Sequence, residues 1–235
     1  MLQVKGITVF YGKMQALWDV SFSVKKGHIC SLVGSNGAGK STILNTISAI
    51  LRPQQGSITF DGKRIDSLPP HKIVQLGVTH VPERRHLFPY MTVWENLQIG
   101  FYESGKPKKE QDILLERIFD LFTNLRERRK QLALNLSGGE QQMLTIARGL
   151  ALSPKLMMLD EPTLGLSPLI IEELFKIIED INAEGITVAL VEQNVEHALR
   201  MADNAYVLEN GRIVLSGVGK DLLKDETVKE SYLGF

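Results

Sequence analysis

Eight consecutive residues, Gly34-Ser35-Asn36-Gly37-Ala38-Gly39-Lys40-Ser41, match the pattern G-x-x-x-x-G-K-[ST] at every required position. The chemistry this pattern serves is the holding of a polyphosphate. Gly34, Gly37 and Gly39 let the backbone curl and bring its N–H groups close to anionic oxygens. Lys40 adds a mobile positive charge for β- and γ-phosphates, and the Ser41 hydroxyl is a Mg²⁺ ligand. The flanks have the order the motif requires. The apolar run Ile29-Cys30-Ser31-Leu32-Val33 predicts a buried strand before the loop. Ile43, Leu44, Ile47, Ile50 and Leu51 lie at helical spacing and predict a helix over 41–51. A helix N-terminus adds its own attraction for anions. A plain glycine turn between two core elements is the simpler alternative, and the full motif in full context weighs against it.

Two further groups of residues bear on the same chemistry. Leu156-Met157-Met158-Leu159-Asp160-Glu161 is an apolar strand ending in paired acids. A phosphate-cradling loop needs an acid at a neighbouring strand end to hold Mg²⁺, directly or through water, and Asp160 fits. Glu161 is placed to polarise an attacking water. Without the glycine loop, two solvated acids at a strand terminus would be the better reading. Second, Leu136-Ser137-Gly138-Gly139-Glu140 precedes a helical run from Met143 to Ala151. Ser137 is a candidate N-cap, and Gly138 and Gly139 bare the first N–H groups of that helix. The alternative is an ordinary cap. Two phosphate-binding surfaces on different lobes of one chain suggest a nucleotide clamped between two subunits.

The elements that must position these groups alternate in character. Residues 2–10 and 17–24 read as strands, and 57–60 as a strand entering an Asp61-Gly62 turn. Gly77 to Val81 reads as a core strand leading into Pro82-Glu83-Arg84-Arg85. From Val93 to about Leu152 the pattern turns helical. Ser104 to Glu110 is a polar loop, and Ile113, Leu114, Ile118, Leu121 and Phe122 share the apolar face of the helix after it. Beyond Leu156 come a strand, a helix over 170–181 with Ile170, Leu174, Ile177, Ile178 and Ile181 inward, a strand over 186–191, and a hairpin turning at Asn210-Gly211. The tail from Lys220 reads as helical.

Composition sets the bounds. A chain of 235 residues, 43% apolar, suits one large α/β domain with a subdomain. Zero formal net charge gives no global pull toward nucleic acid or anionic lipid. The single cysteine, Cys30, excludes an internal disulfide and reads as a buried thiol. No leader pattern opens the chain, and no apolar run approaches the ~18 residues of a membrane span.

Taken together, the glycine loop, Leu136-Ser137-Gly138-Gly139-Glu140 and the apolar run into Asp160-Glu161 resemble the ATP-binding subunit of ABC transporters, in that family's order and over nearly the whole chain. The resemblance implies an α/β fold: a P-loop NTPase (RecA-like) core with an N-terminal antiparallel β subdomain over 1–92 and 153–235, and an inserted helical subdomain over 93–152 carrying the signature. It implies ATP and Mg²⁺ as cofactors. It implies head-to-tail pairing with a second ATP-binding subunit, either a different chain or a second copy. It further implies membrane-spanning permease subunits as partners, a binding protein acting indirectly, and a peripheral place on the cytoplasmic face of the inner membrane. By the same resemblance Tyr11 stacks on adenine and Thr42 touches the α-phosphate. Ser137, Gly138 and Gly139, beside Glu140, reach a γ-phosphate across the interface, and Glu161 is the general base. For Tyr11 a strand-end core tyrosine is the competing reading.

The sequence departs from the family pattern at three places. Glu83 stands where a glutamine is usual, six residues before Pro89; it can approach Mg²⁺ and water but cannot donate a hydrogen bond when ionised. Gln193 stands where a histidine is usual, and His197, one turn on, looks like a surface residue. Ser167 stands where an aspartate is common. Such departures fit a slow or regulatory site. They also resemble one branch, the smaller ATP-binding subunit of branched-chain amino acid importers, through Val81-Pro82-Glu83, Leu164-Gly165-Leu166-Ser167-Pro168, Val191-Glu192-Gln193-Asn194, Val207-Leu208-Glu209-Asn210-Gly211 and the ending Tyr232-Leu233-Gly234. Subunits for urea, amides or other substrates would look much the same. Phe88, Pro89, Tyr90, Met91 and Trp94 form an apolar cluster that serves either core packing or the docking of a partner helix.

Overall fold

Two sheets and a helical layer build the molecule, and the computed structural model describes residues 1–233. Gly234, the last of the three residues at the terminal resemblance, lies outside them. The chain opens with β1 (Leu2–Tyr11) and β2 (Met14–Val24), then β3 (Ile29–Val33) and α1 (Lys40–Ile47). After these come β4 (Gln55–Phe60), β5 (Lys63–Arg64), α2 (Pro70–Gln75) and β6 (Val78–Val81). Helices α3 (Val93–Ser104), α4 (Lys108–Leu121), α5 (Thr123–Glu127) and α6 (Gly138–Leu150) follow with no strand among them. The α/β alternation resumes with β7 (Leu156–Asp160), α7 (Pro168–Ala183), β8 (Thr187–Glu192) and α8 (Val195–Met201). The hairpin β9 (Asn204–Glu209) and β10 (Arg212–Gly217) and the short helices α9 (Gly219–Leu222) and α10 (Glu226–Val228) complete the described chain, before a last turn at Lys229–Leu233.

The topology follows from the patterning. Strands β3, β7 and β8 are buried along their whole length, as their unbroken apolar runs require. They form a six-stranded sheet in the order β10-β9-β3-β8-β7-β6, parallel from β9 through β6. The half-alternating strands β1, β2 and β4, with the two-residue β5, form a separate antiparallel sheet. One core layer lies between the two sheets and buries Leu17, Phe60, Ile43, Leu44 and Ile47. The other packs the parallel sheet on the helices, burying Leu97, Phe119, Ile146 and Ile178 among others.

Parallel pairing has the consequence that matters for chemistry. Val33 pairs with Glu192, Asp160 with Val191 and Val81 with Leu159. The C-terminal ends of these four strands, with the loops that carry Lys40, Glu161, Gln193 and Glu83, therefore lie along one rim of the sheet.

Several local expectations need correction. Helix α1 stops at Ile47: the chain turns through Ala49 at φ 61, and the N–H groups of Ile50 and Leu51 both go to the Asn45 carbonyl. Ile50 is consequently exposed, not inward. Helix α4 starts at Lys108, inside the segment read as a loop, and buries Leu114, Leu115, Ile118 and Phe119. Ile113 points outward, because the buried stripe runs one residue later than the apolar count suggests. Cys30 is buried and free, and burial pushes its thiol up to about 12, which suits packing and not reactivity. Among the described residues no helix is long and apolar enough to cross a membrane.

Candidate functional site

The glycine loop leaves β3 at Val33 and enters α1 at Lys40. Gly37 and Gly39 sit at φ 81 and 106, a backbone region costly for any side chain. A Cβ on Gly34 would lie 2.2 Å from the Leu208 carbonyl oxygen, and one on Gly39 would lie 2.7 Å from Leu17 Cδ2. The loop is thus clamped between β9 and β2, and its shape is set by neighbours as much as by its own composition.

Lys40 is 3% exposed. Its ammonium donates to the carbonyls of Gly34 at 2.9 Å and Ser35 at 3.1 Å, and lies 3.0 Å from Glu161 Oε1. The Ser41 hydroxyl donates to Asp160 Oδ1 at 2.9 Å across 119 residues of sequence. Lys40, Ser41, Thr42 and Glu161 share an open cavity of about 430 Å³ with Tyr11, Trp18, Gly37 and Gly39. Tyr11 is 44% exposed and its hydroxyl lies 3.4 Å from Thr42 Oγ1, so it is a wall of this cavity and not a core tyrosine.

Asp160 is buried, and burial, with the Glu161 and Glu83 carboxylates nearby, pushes its carboxyl up to about 6 against the pull of the Ser41 hydrogen bond and Lys40. A buried carboxylate beside a hydroxyl, in a field of two more acids, is a local surplus of negative charge. That surplus and that all-oxygen donor pair fit Mg²⁺, which keeps several waters and takes phosphate oxygens for the rest of its shell. Among the described residues no cluster of three or more His, Cys, Asp or Glu side chains could hold a metal unaided. Glu83 follows β6, is exposed, and contributes its charge to this region. Gln193 is exposed just past β8 and shares a second hollow of about 370 Å³ with Glu161, Thr163 and Leu166. The sheet rim therefore gathers Lys40, Ser41, Asp160, Glu161, Glu83 and Gln193.

It does not gather the signature. Ser137, Gly138, Gly139 and Glu140 line neither the cavity around Lys40 nor the hollow at Gln193. Ser137 N-caps α6 in a full capping box: its hydroxyl accepts from the Glu140 N–H at 3.3 Å, and the Glu140 carboxylate accepts from the Ser137 N–H at 2.7 Å. This box leaves the Gly138 and Gly139 amides at the helix mouth, without a hydrogen-bond partner among the described residues.

Three residues have more to do here than their sequence context suggests. Arg85 Nη1 donates to Gln141 Oε1 at 3.1 Å, and its Nη2 would lie 3.2 Å from a Cβ on Gly138. The Arg85 carbonyl accepts from Thr145 Oγ1 at 3.3 Å and Arg148 Nη2 at 3.4 Å, so the Glu83 loop is fastened to α6. No periodicity marks a loop arginine, and nothing in the sequence predicts this contact. Glu192 is a fully buried acid closing an apolar strand, a visible anomaly one residue beyond Val191, the register partner of Asp160. His197 is no surface residue: it is half-buried, stacks on Phe175 at 5.3 Å with ring planes 9° apart, and sets its Nδ1 3.1 Å from Asn194 Oδ1.

Comparison with known proteins places this geometry. The family model for ABC transporters matches residues 17–164. The high-affinity branched-chain amino acid transport ATP-binding protein BraG of Pseudomonas aeruginosa is 47% identical over the full length of both chains. A probable branched-chain amino acid transport ATP-binding protein, LivF of Archaeoglobus fulgidus, is 37% identical over 100% of this chain and 99% of its own. Among solved structures, the ADP conformation of an ATP-binding cassette of an ABC transporter superposes with a TM-score of 0.88 at 30% identity, covering 100% of this chain and 99% of that one. A dimeric post-hydrolysis cassette bound to ADP and Pi gives 0.82 at 25% identity over 93% and 98%. With the P-loop, the paired acids and the signature each in place, the chain belongs to the ABC transporter family, as an ATP-binding cassette.

Proposed function

We propose that this chain is the ATP-hydrolysing, energy-coupling subunit of an importer for branched-chain amino acids. The observation that carries the reading is a separation within the chain: Lys40, Ser41, Asp160 and Glu161 converge at one end of the parallel sheet, while Ser137 to Gly139 lie outside the cavity there. One chain holds half of each site, and head-to-tail pairing with a second ATP-binding subunit completes it. The full-length likeness to BraG supports the substrate class.

In this reading Tyr11 stacks on adenine, and the amides from Gly34 to Gly39 with Ser35, Asn36 and Ala38 wrap the β-phosphate. Thr42 meets the α-phosphate, and Lys40 meets the β- and γ-phosphates. Mg²⁺ would be held by Ser41 and Asp160, with Glu83 close by, and supplies charge neutralisation on the phosphate oxygens. Glu161 accepts a proton from the attacking water, and Gln193 donates its amide N–H to the γ-phosphate. The helical insert 93–152 moves as a lobe against the core and carries Ser137, Gly138, Gly139 and Glu140 toward the partner's nucleotide. The membrane-spanning permease subunits seat near Phe88 and Tyr90, both exposed, and hold the chain on the cytoplasmic face of the membrane.

A regulatory cassette with slow turnover is the second reading, favoured by Gln193 and Glu83. ATPase assays on the assembled complex separate the two. Glu161→Gln should lower kcat by about 10²-fold or more, in the range of a lost general base. Equal rates would remove Glu161 as the base and leave the regulatory reading.

A further inference from the structure

Strand β8 ends on a carboxylate with no cation to meet it. Glu192 is 1% exposed, and no lysine or arginine pairs with it among the described residues. Its partners are hydrogen-bond donors. Thr163 N–H reaches Oε1 at 3.1 Å, Thr163 Oγ1 reaches Oε2 at 2.9 Å, and Asn194 N–H points to the same Oε2 at 3.5 Å. Burial, with Glu161 nearby, raises its carboxyl to about 7 against those bonds, so the position is a costly one for an acid.

The contacts show what that carboxylate holds. Glu161 stands at φ 44, where a non-glycine residue is strained. Its N–H donates to the Val191 carbonyl at 2.9 Å, Pro162 has no N–H to give, and the next N–H, of Thr163, goes to Glu192. Both available donors of the turn carrying Glu161 are thus spent on the end of β8. The Gln193 loop leaves from that same end, and its Asn194 N–H converges on the same oxygen. One buried carboxylate joins two loops that both line the hollow beside Glu161.

We propose that Glu192 is a positioning residue that ties the Glu161 turn to the Gln193 loop, so that displacement of Gln193 is passed to Glu161. The proposal rests on the reading of Glu161 as base and Gln193 as γ-phosphate contact. Coupling of this kind needs a physical link between the two loops, and the three hydrogen bonds provide it.

The test compares Glu192→Ala, Glu192→Gln, Thr163→Val and the double variant Glu192→Ala/Thr163→Val in the assembled transporter, beside Glu161→Gln. Thermal unfolding and ATP affinity of the isolated chain are measured with each. The expected result is ATP affinity and KM within about twofold of the parent, and kcat lowered about 10- to 100-fold in Glu192→Ala and less in Thr163→Val, which keeps the N–H bond. The double variant should be no slower than Glu192→Ala, because the two residues act as one unit. Glu192→Gln, which keeps an acceptor oxygen and the side-chain shape, should recover most of the rate. An unchanged kcat in Glu192→Ala, or multiplying losses in the double variant, would overturn the proposal. If Glu192→Ala does not fold, Thr163→Val decides the question: an unchanged kcat, or losses confined to KM or to melting temperature, defeats the positioning role. Loss in Glu161→Gln with none in the Glu192 variants defeats the positioning role alone; no loss in Glu161→Gln defeats the reading beneath it.

Discussion

Replacing Lys40 with alanine and Ser137 with arginine should separate the two halves of the site. The Lys40 ammonium sits in a pocket 3% exposed, among P-loop carbonyls and Glu161. At an effective dielectric of ~20, one charge pair 4 Å apart is worth about 4 kcal/mol. Partial solvation of a bound γ-phosphate trims that, so a loss of roughly 3 kcal/mol, or about 10²-fold in Kd, is the working figure. The variant also leaves the Glu161 carboxylate unpaired and repelling the phosphate, which adds to the loss. Ser137 contributes nothing to the cavity around Lys40, so Ser137→Arg should leave nucleotide affinity of the isolated chain within about twofold. It should nonetheless abolish ATP-driven closure, because a bulky cation would stand at the mouth of α6 where Gly138 and Gly139 present their amides. Titration of a fluorescent ATP analogue into the isolated chain measures the first effect, and size-exclusion chromatography with ATP and Glu161→Gln present measures the second. If Ser137→Arg weakened binding by the isolated chain as much as Lys40→Ala does, the shared site would be refuted.

Two further outcomes are expected. Burial pushes the His80 imidazole down to about 4 from 6.5, and its Nδ1 lies 2.9 Å from Ser48 Oγ. Below pH 6.5 protons therefore bind the unfolded chain first, and stability drains away as pH falls toward 4; the shift corresponds to roughly 3 kcal/mol at its limit. Urea unfolding at pH 7 and pH 4.5 should show a smaller acid loss in His80→Gln than in the parent, and equal losses would refute the assignment. Making Tyr90, which is 83% exposed, and Met91 polar together should lower recovery of the permease complex about tenfold or more while leaving ATP binding intact; unchanged assembly would sink the docking role.

How much of this was legible beforehand depends on the range of the interaction. The loop from Gly34 to Ser41 carries its identity locally: glycines for backbone shape, a lysine for charge, an apolar strand before and an apolar helix after. The Ser137–Glu140 capping box is equally local, since both partners lie within one helical turn. Asp160 and Glu161 stand out because an apolar strand ends in two acids. The antiparallel and parallel halves could be told apart from the difference between alternating and unbroken apolar runs.

What the sequence could not settle is what two distant segments do to each other. Helical spacing continued past Ile47, yet the turn at Ala49 ended α1 and left Ile50 outside. His197 read as a surface residue until Phe175, on another helix, was brought against it. The hydrogen bond from Ser41 to Asp160, the ion pair of Lys40 with Glu161 and the Arg85 contact to α6 all join residues tens of positions or more apart. The first two exist because parallel pairing aligns the ends of β3 and β7 with those of β8 and β6 on one rim, and the third because α6 packs beside the loop that leaves β6. The glycine loop, by itself, declared phosphate chemistry. The suggestion of a divided site also arose locally, from the second glycine-bearing helix start at Ser137. Tertiary structure added that Asp160 and Glu161 meet Ser41 and Lys40 while Ser137 lines no part of that cavity, because long-range strand pairing, which no local pattern carries, sets where each loop emerges.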